Sequence, residues 1–226
     1  MSDEIVRSEL QDEVTVVHFD DGKANAFSGA SLAALNAGLD RAEKEARSVV
    51  LAGRPGRFSG GFDLSVMRGG DGAAVRTLVR AGADLVLRLY DFPQPVVIAC
   101  TGHAVAMGAV LLLGADLRIG TAGDFKLGLN EVAIRMTLPD FAIELARDRL
   151  SPRHLQRATG LAELYTPEGA VEAGFLDRVV AADALLETAV ESARGLASLD
   201  PQAHRATKRR LRANTLERLR RSLAGL

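Results

Sequence analysis

The sequence predicts an α/β protein in which helices cover a parallel-rich sheet. Strand-like and helix-like segments alternate along the first part of the chain, which is typical of this class. Residues 48–53 and 96–100 are short, β-branched apolar runs, as expected for strands buried on both faces. Residues 110–113 are apolar with no polar side, which indicates a helix buried all round. These observations favour a sheet with helices on both sides.

The elements follow in a regular order. Residues 14–19 predict a strand that is preceded by an alternating partner around 4–10, and Ser28 can cap a helix that runs to about Ala46. After the strand at 48–53, a helix is expected from about Asp71 to Tyr90, with prolines marking its exit. Residues 117–120 predict another strand, and residues 125–132 a loop.

Past residue 140 the sequence becomes helical. Ser151, Thr166 and Asp200 each precede a proline at a first helical position, and Gly174 ends one of these helices. We therefore expect a core at 1–140 and a helical region at 141–226. Residues 201–226 hold eight Lys or Arg against one acid, Glu217. Such a run forms either a solvated face or a local anion site.

Composition limits the function classes. The chain has 226 residues, 47% hydrophobic and 25% charged, with a formal net charge of −1. This balance argues against a nucleic-acid-binding surface over the whole protein. The single cysteine, Cys100, lies in an apolar run and is expected to be an inert buried thiol. The acidic start and the lack of a long apolar segment predict a cytoplasmic protein without a membrane span.

Two glycine-rich turns, at 59–62 and 101–108, each lead from a strand towards a helix. They are either tightly packed turns or a pair that aims two backbone N–H groups at one point, as in an oxyanion hole. The dinucleotide and P-loop glycine spacings are absent, and so is G-x-S-x-G. The histidines are scattered without a metal-ligand spacing.

Four segments resemble the crotonase superfamily of enoyl-CoA hydratases and isomerases. Residues 58–64 (FSGGFDL) are similar to its F-x-A-G-x-D-L motif, and residues 95–116 to its P-V-I-A segment with a glycine triplet. Residues 25–26 match its N-A element, and residues 170–180 its A-x-x-x-G-L-V-D-x-V-V signature. The four stand in family order across nearly the whole chain. The resemblance implies a spiral of ββα units with a C-terminal helical trimerisation region.

The resemblance also implies site residues. The backbone N–H groups of Phe62 and Met107 should hold the thioester oxygen of an acyl-CoA, and Glu131 aligns with a family glutamate that serves as acid and base. Lys208 resembles a lysine that reaches the CoA phosphates, often across a subunit boundary. The CoA path should be lined by backbone around Ala24, Ala26 and Gly60. Acyl-CoA is the implied partner, in a homotrimer or hexamer, and no metal or redox cofactor is expected because coenzyme A is part of the substrate.

Two departures from the family pattern bear on the reaction. Hydratases of the family carry another glutamate, which falls on Val110 here, so Val110 is expected to form an apolar wall of the pocket. Asp140 lies near an extra acid of some isomerases, although a helix cap is its alternative role. With Glu131 as single acid–base group, Δ3-Δ2-enoyl-CoA isomerisation is favoured. The alternatives are hydration of 2-enoyl-CoA and acyl-CoA binding without turnover.

Overall fold

The computed structural model describes residues 4–226 as three sheets and the helices that cover them. The strands are β1 Val6–Gln11, β2 Val14–Phe19, β3 Ala26–Phe27, β4 Ser48–Ala52, β5 Gly56–Ser59, β6 Gly61–Phe62, β7 Val96–Cys100, β8 Gly102–Val105, β9 Leu117–Thr121, β10 Leu127–Gly128 and β11 Arg178–Val180. The helices are α1 Gly29–Glu45, α2 Leu64–Met67, α3 Gly72–Tyr90, α4 Met107–Gly114, α5 Asp140–Arg149, α6 Pro152–Ala158, α7 Pro167–Ala173, α8 Leu185–Ala197 and α9 Pro201–Ala224. A short 3₁₀ turn covers Val132–Ile134.

The main sheet has the strand order β1-β2-β4-β7-β9-β11. Only β1 is antiparallel to its neighbour, so the predicted parallel-rich sheet is confirmed. Alternate residues of the central strands face two separate cores. Val49 and Leu51 face the core shared with α1, α3 and α4, while Val50 and Ala52 face α8. The β-branched runs are therefore buried on both faces, as expected.

Two small sheets lie at the glycine-rich turns. One has the order β10-β8-β5 and the other pairs β3 with β6, all in parallel. Residues 125–132, expected to be loop, therefore contribute the short strand β10 and the start of the 3₁₀ turn. These strands were missed because each is only a few residues long and their pairing partners are distant in the sequence.

The chain beyond residue 140 returns to the main sheet. Strand β11 pairs with β9, and α8 covers the second face, so the C-terminal region is integrated with the core. Leu216, Leu219 and Leu223 of α9 are buried within the chain, whereas Leu211 of the same helix is 80% exposed. None of the helices within residues 4–226 combines the length and apolar character that crossing a bilayer requires.

The basic residues of α9 contact acids of the core. Arg209 and Arg220 pair with Asp91, and Arg218 pairs with Glu144. These three arginine side chains are more than half exposed, so this part of the basic run forms a solvated face, as one reading predicted, and also carries ion pairs to the core.

Candidate active site

The two glycine-rich turns meet in space. A Cβ placed on Gly61 would lie 3.0 Å from Ala106 Cβ and 3.4 Å from Met107 N. Gly61 has a φ of +92°, which glycine adopts freely, and the lack of a side chain allows this close approach. A Cβ on Gly108 would lie 2.6 Å from Ser59 O, so the start of α4 packs directly on the end of β5.

Each turn presents a backbone N–H group at this contact. Asp63 N donates to Phe27 O at 3.0 Å, and successive amides of a strand point to opposite sides, so the N–H of Phe62 faces away from β3. Met107 is the first residue of α4, and its N–H has no acceptor among residues 4–226. The positive end of the α4 dipole lies behind it. Free backbone N–H groups of this kind are the donors that stabilise an oxyanion.

A pocket of about 170 Å³ opens beside the turns. Gly60, Phe62 and Ala106 line one part of the pocket, and Glu131 lines it from the loop that follows β10. The rest of the wall is largely apolar and comes from α2, α3 and the segment before α5, including Met67, Val79, Met136 and Pro139. Glu131 is the only acidic residue among the lining residues within 4–226.

Glu131 is held in place by the small sheet of β10. Ala106 N donates to Gly128 O at 3.0 Å, which ties the second turn to the loop just ahead of Glu131. The 3₁₀ turn then begins, with Ile134 N and Met136 N donating to Glu131 O at 3.1 and 2.9 Å. The loop therefore fixes the Glu131 backbone next to the two donor groups.

The Glu131 carboxyl group is buried without full hydrogen bonding. The residue is 7% exposed, and its Oε2 has no donor among residues 4–226. Burial raises the pKa of this carboxyl to about 7, although its own backbone amide acts in the opposite direction. A carboxyl group with such a pKa can accept and return a proton near neutral pH.

Several predicted residues lie at or beside the pocket. Gly60, Phe62 and Glu131 line it, and Met107 follows Ala106 with its side chain buried. Ala24 O accepts the N–H of Gly60 at 2.9 Å, and Ala26 pairs with Gly61. Ala24 and Ala26 therefore flank the first turn but do not line the pocket. The roles of these residues in binding and catalysis stay predictions.

Lys208 lies elsewhere in the chain. Its Nζ donates to Asp116 Oδ2 at 2.7 Å, and the guanidinium of Arg212 lies 2.9 Å from the other oxygen of Asp116. Lys208 is 7% exposed, and burial lowers its pKa to about 8 while Asp116 opposes that shift. Within one chain Lys208 does not line the pocket, so its predicted contact with CoA phosphates has no geometric support here.

The expectation for Val110 is wrong, and Asp140 lies at a helix start, close to its alternative role as a helix cap. Val110 is buried inside the core and does not line the pocket, because α4 is packed on all sides. Asp140 is exposed in the first turn of α5, one residue after the Pro139 cap position, where the helix dipole favours a carboxylate. Neither residue places a second acid in the pocket.

Several residues that shape the site carried no prediction from the sequence. Arg68 and Asn130 line the pocket, and Gly82 and Val79 of α3 support its wall. Arg68 lies one short helix after the first turn, and Asn130 immediately precedes Glu131. Their positions beside recognised motifs could therefore have indicated them. Gly82 carried no local signal.

The chain is similar to one family model and to several known proteins. Residues 9–225 match the family model described as enoyl-CoA hydratase/isomerase. The chain is 30% identical over 210 residues to human mitochondrial enoyl-CoA delta isomerase 1, covering 91% of this chain and 70% of that protein. An enoyl-CoA hydratase/isomerase family protein from Pseudomonas syringae superposes with a TM-score of 0.96 at 43% identity, covering 99% and 96% of the two chains. An apo enoyl-CoA isomerase from Mycobacterium tuberculosis gives a TM-score of 0.95 at 40% identity, covering 99% and 98%.

Proposed function

The chain belongs to the enoyl-CoA hydratase/isomerase family and has the crotonase fold, and on that premise we propose that it is a Δ3-Δ2-enoyl-CoA isomerase. One observation carries the choice of reaction. A single carboxyl group, Glu131, lines the pocket beside the two turns, and within residues 4–226 no second acid lines it. Moving a double bond needs one group that takes a proton and returns it, whereas syn-addition of water ordinarily uses two acids.

The proposed reaction begins with the thioester oxygen between the N–H groups of Phe62 and Met107. The Glu131 carboxylate takes a proton from C2 of the 3-enoyl chain, and the electron pair shifts onto the thioester oxygen as an enolate. The two N–H groups and the α4 dipole stabilise this negative charge. Protonated Glu131 then returns the proton at C4, and the double bond forms between C2 and C3. In this proposal coenzyme A is part of the substrate and no separate cofactor takes part.

The environment of Glu131 supports both halves of this transfer. A pKa of about 7 leaves both the carboxylate and the protonated acid populated near neutral pH. The apolar wall limits competing access of water to the enolate. Acyl-CoA binding without turnover stays the alternative, and it would leave the Glu131 carboxyl without a role in proton transfer.

The variant Glu131→Gln tests this proposal. The amide keeps the shape of the side chain but cannot accept the proton, so kcat should fall by at least about 100-fold. The dissociation constant of a saturated acyl-CoA should change by less than about threefold, because the backbone donors stay in place. Asp140→Asn, an exposed acid outside the pocket, is the control and should retain activity. Full activity of Glu131→Gln would exclude Glu131 as the base.

The pH profile gives an independent check. The base must be deprotonated in the free enzyme, so kcat/KM should rise with pH through a midpoint near 7 and then level off. A midpoint near the ordinary value of 4.5 would contradict the buried environment of the carboxyl group.

A further inference from the structure

Within residues 4–226 a single cationic side chain, that of Arg68, lines the pocket. Arg68 occupies the position after the last residue of α2, and it lines the pocket together with Met67 and Thr137. The Gly69-Gly70 turn then leads into α3, with Gly70 at a φ of +80°. The backbone thus turns away directly after Arg68, which leaves its side chain exposed at the pocket.

The guanidinium of Arg68 has no protein partner among residues 4–226, either as an ion pair or as a hydrogen bond. The acids nearest in the sequence are already engaged. Asp63 Oδ1 accepts from Ser65 N at 2.8 Å and from Ser65 Oγ at 2.7 Å, which caps α2. Asp71 Oδ1 accepts from Ala73 N at 2.9 Å and from Ala74 N at 3.2 Å, which caps α3. Other arginines that flank this part of the molecule, such as Arg80 and Arg88, hold carboxylates.

An unpaired guanidinium at a ligand pocket recognises an oxyanion, because its planar fork can give two parallel hydrogen bonds to a carboxylate or phosphate. An acyl-CoA offers two sources of such a group. One is the phosphates of coenzyme A, and the other is a carboxylate at the far end of the acyl chain. The position of Arg68 separates these sources.

Of the residues expected to follow the CoA path, only Gly60 is among the described residues that line the pocket. Ala24 contacts Gly60 through its carbonyl, and neither Ala24 nor Ala26 lines the pocket. Arg68 instead lines the pocket together with Met67 and Val79, whose apolar side chains suit an acyl chain. We propose that Arg68 is a specificity-determining residue that selects acyl chains ending in a carboxylate, an inference that rests on the acyl-CoA binding of the proposed function.

Binding of saturated acyl-CoAs tests this assignment without requiring turnover. The dissociation constants of glutaryl-, adipoyl- and suberoyl-CoA are measured by calorimetry against pentanoyl-, hexanoyl- and octanoyl-CoA. Each pair has the same number of carbons, and only the far end differs. Measurement at about pH 6, below the pKa of about 7 of Glu131, keeps that group mainly uncharged.

At one or more chain lengths the carboxylate member of the pair should bind more tightly to the wild type. Arg68→Gln should lower that preference about tenfold, as expected for losing a charge-assisted pair. Arg41→Gln is the matched control, since Arg41 is an exposed arginine of α1 with no ion pair within residues 4–226 and it does not line the pocket. The preference of the wild type should also weaken as salt is raised, because the pair is exposed.

Two results would overturn this assignment alone. The first is the same preference in the wild type and in Arg68→Gln. The second is that Arg68→Gln weakens the binding of both members of every pair equally, and that this loss disappears with 3′-dephospho-CoA thioesters. Such a result would identify the CoA phosphate as the anion. A wild type that shows the preference but does not isomerise 3-enoyl-CoA would overturn only the proposed reaction. A wild type that binds none of the thioesters would overturn both.

Discussion

Ala106 adopts a backbone conformation that is normally reserved for glycine. Its φ of 50° and ψ of −127° lie where a Cβ is crowded, and the family pattern has glycine in this triplet. The conformation is held by the hydrogen bond from Ala106 N to Gly128 O and by Ala109 N and Val110 N, which donate to Ala106 O. It turns the chain from β8 into α4 and leaves the N–H of Met107 free. The strain at Ala106 thus accompanies the exposure of a proposed oxyanion donor.

Ala106→Gly should stabilise the protein. Relief of a backbone strain of about 1–3 kcal/mol should exceed the extra entropy of glycine in the unfolded chain, which is about 0.4–1 kcal/mol. The free energy of unfolding from urea titration should therefore rise by about 1 kcal/mol. Ala109→Gly, at a buried position within α4, is the control and should lower it by a similar amount. Equal losses in both variants would show that Ala106 is not strained.

At the scale of single elements, α3 supports the site through Gly82. A Cβ on Gly82 would lie 2.5 Å from Phe62 Cε1 and 3.2 Å from Met107 Cε. The helix thus contacts both residues that carry the proposed oxyanion donors. Glycine lowers helix propensity, and its place here is explained by the Phe62 ring that packs against it.

Gly82→Ala should reduce activity by displacing the Phe62 ring and with it the first turn. Misplacement of a catalytic group by about 1 Å can cost about 100-fold in rate, so we expect kcat to fall by about 10- to 100-fold. Gly195→Ala in α8 is the matched control, because nothing lies within 4 Å of a Cβ at that position. It should leave activity unchanged and stabilise α8 by up to about 1 kcal/mol. Unchanged kcat in Gly82→Ala would show that the Phe62 ring adjusts without moving the backbone.

The elements also show what the sequence could and could not predict. Helices α1, α3 and α9 begin where their cap residues indicate, since Ser28, Asp71 and Asp200 accept from backbone N–H groups as expected. Capping is a local interaction and is therefore visible in a short window. The pairing of β5 with β8 and the ion pair of Lys208 with Asp116 join residues distant in the chain. No local pattern encodes such contacts, so the sequence could suggest that the two turns converge but not the strand pairing that brings them together.

At the scale of the whole molecule, oligomerisation stays a prediction. Leu216, Leu219 and Leu223 of α9 are covered by the chain itself and are not available for a subunit contact. Leu211 of α9 is 80% exposed, and Leu199, just before that helix, is 46% exposed. A subunit contact is the arrangement that would bury both side chains.

Sedimentation velocity should therefore give a trimer or hexamer, with a mass three or six times 24.0 kDa. Leu211→Glu should shift the distribution towards smaller species, since a charge would enter the contact. Leu161→Glu, another exposed leucine but remote in sequence from α9, is the comparison variant. A monomer at micromolar concentration would contradict the predicted assembly.

The ratio of two rates tests the central claim most directly. The wild type is given a 3-enoyl-CoA and the 2-enoyl-CoA of the same chain length, and isomerisation and hydration are measured separately. With Glu131 as the only acid that lines the pocket within residues 4–226, and Val110 buried away from it, isomerisation should exceed hydration by at least about tenfold. Robust hydration without isomerisation would contradict the account.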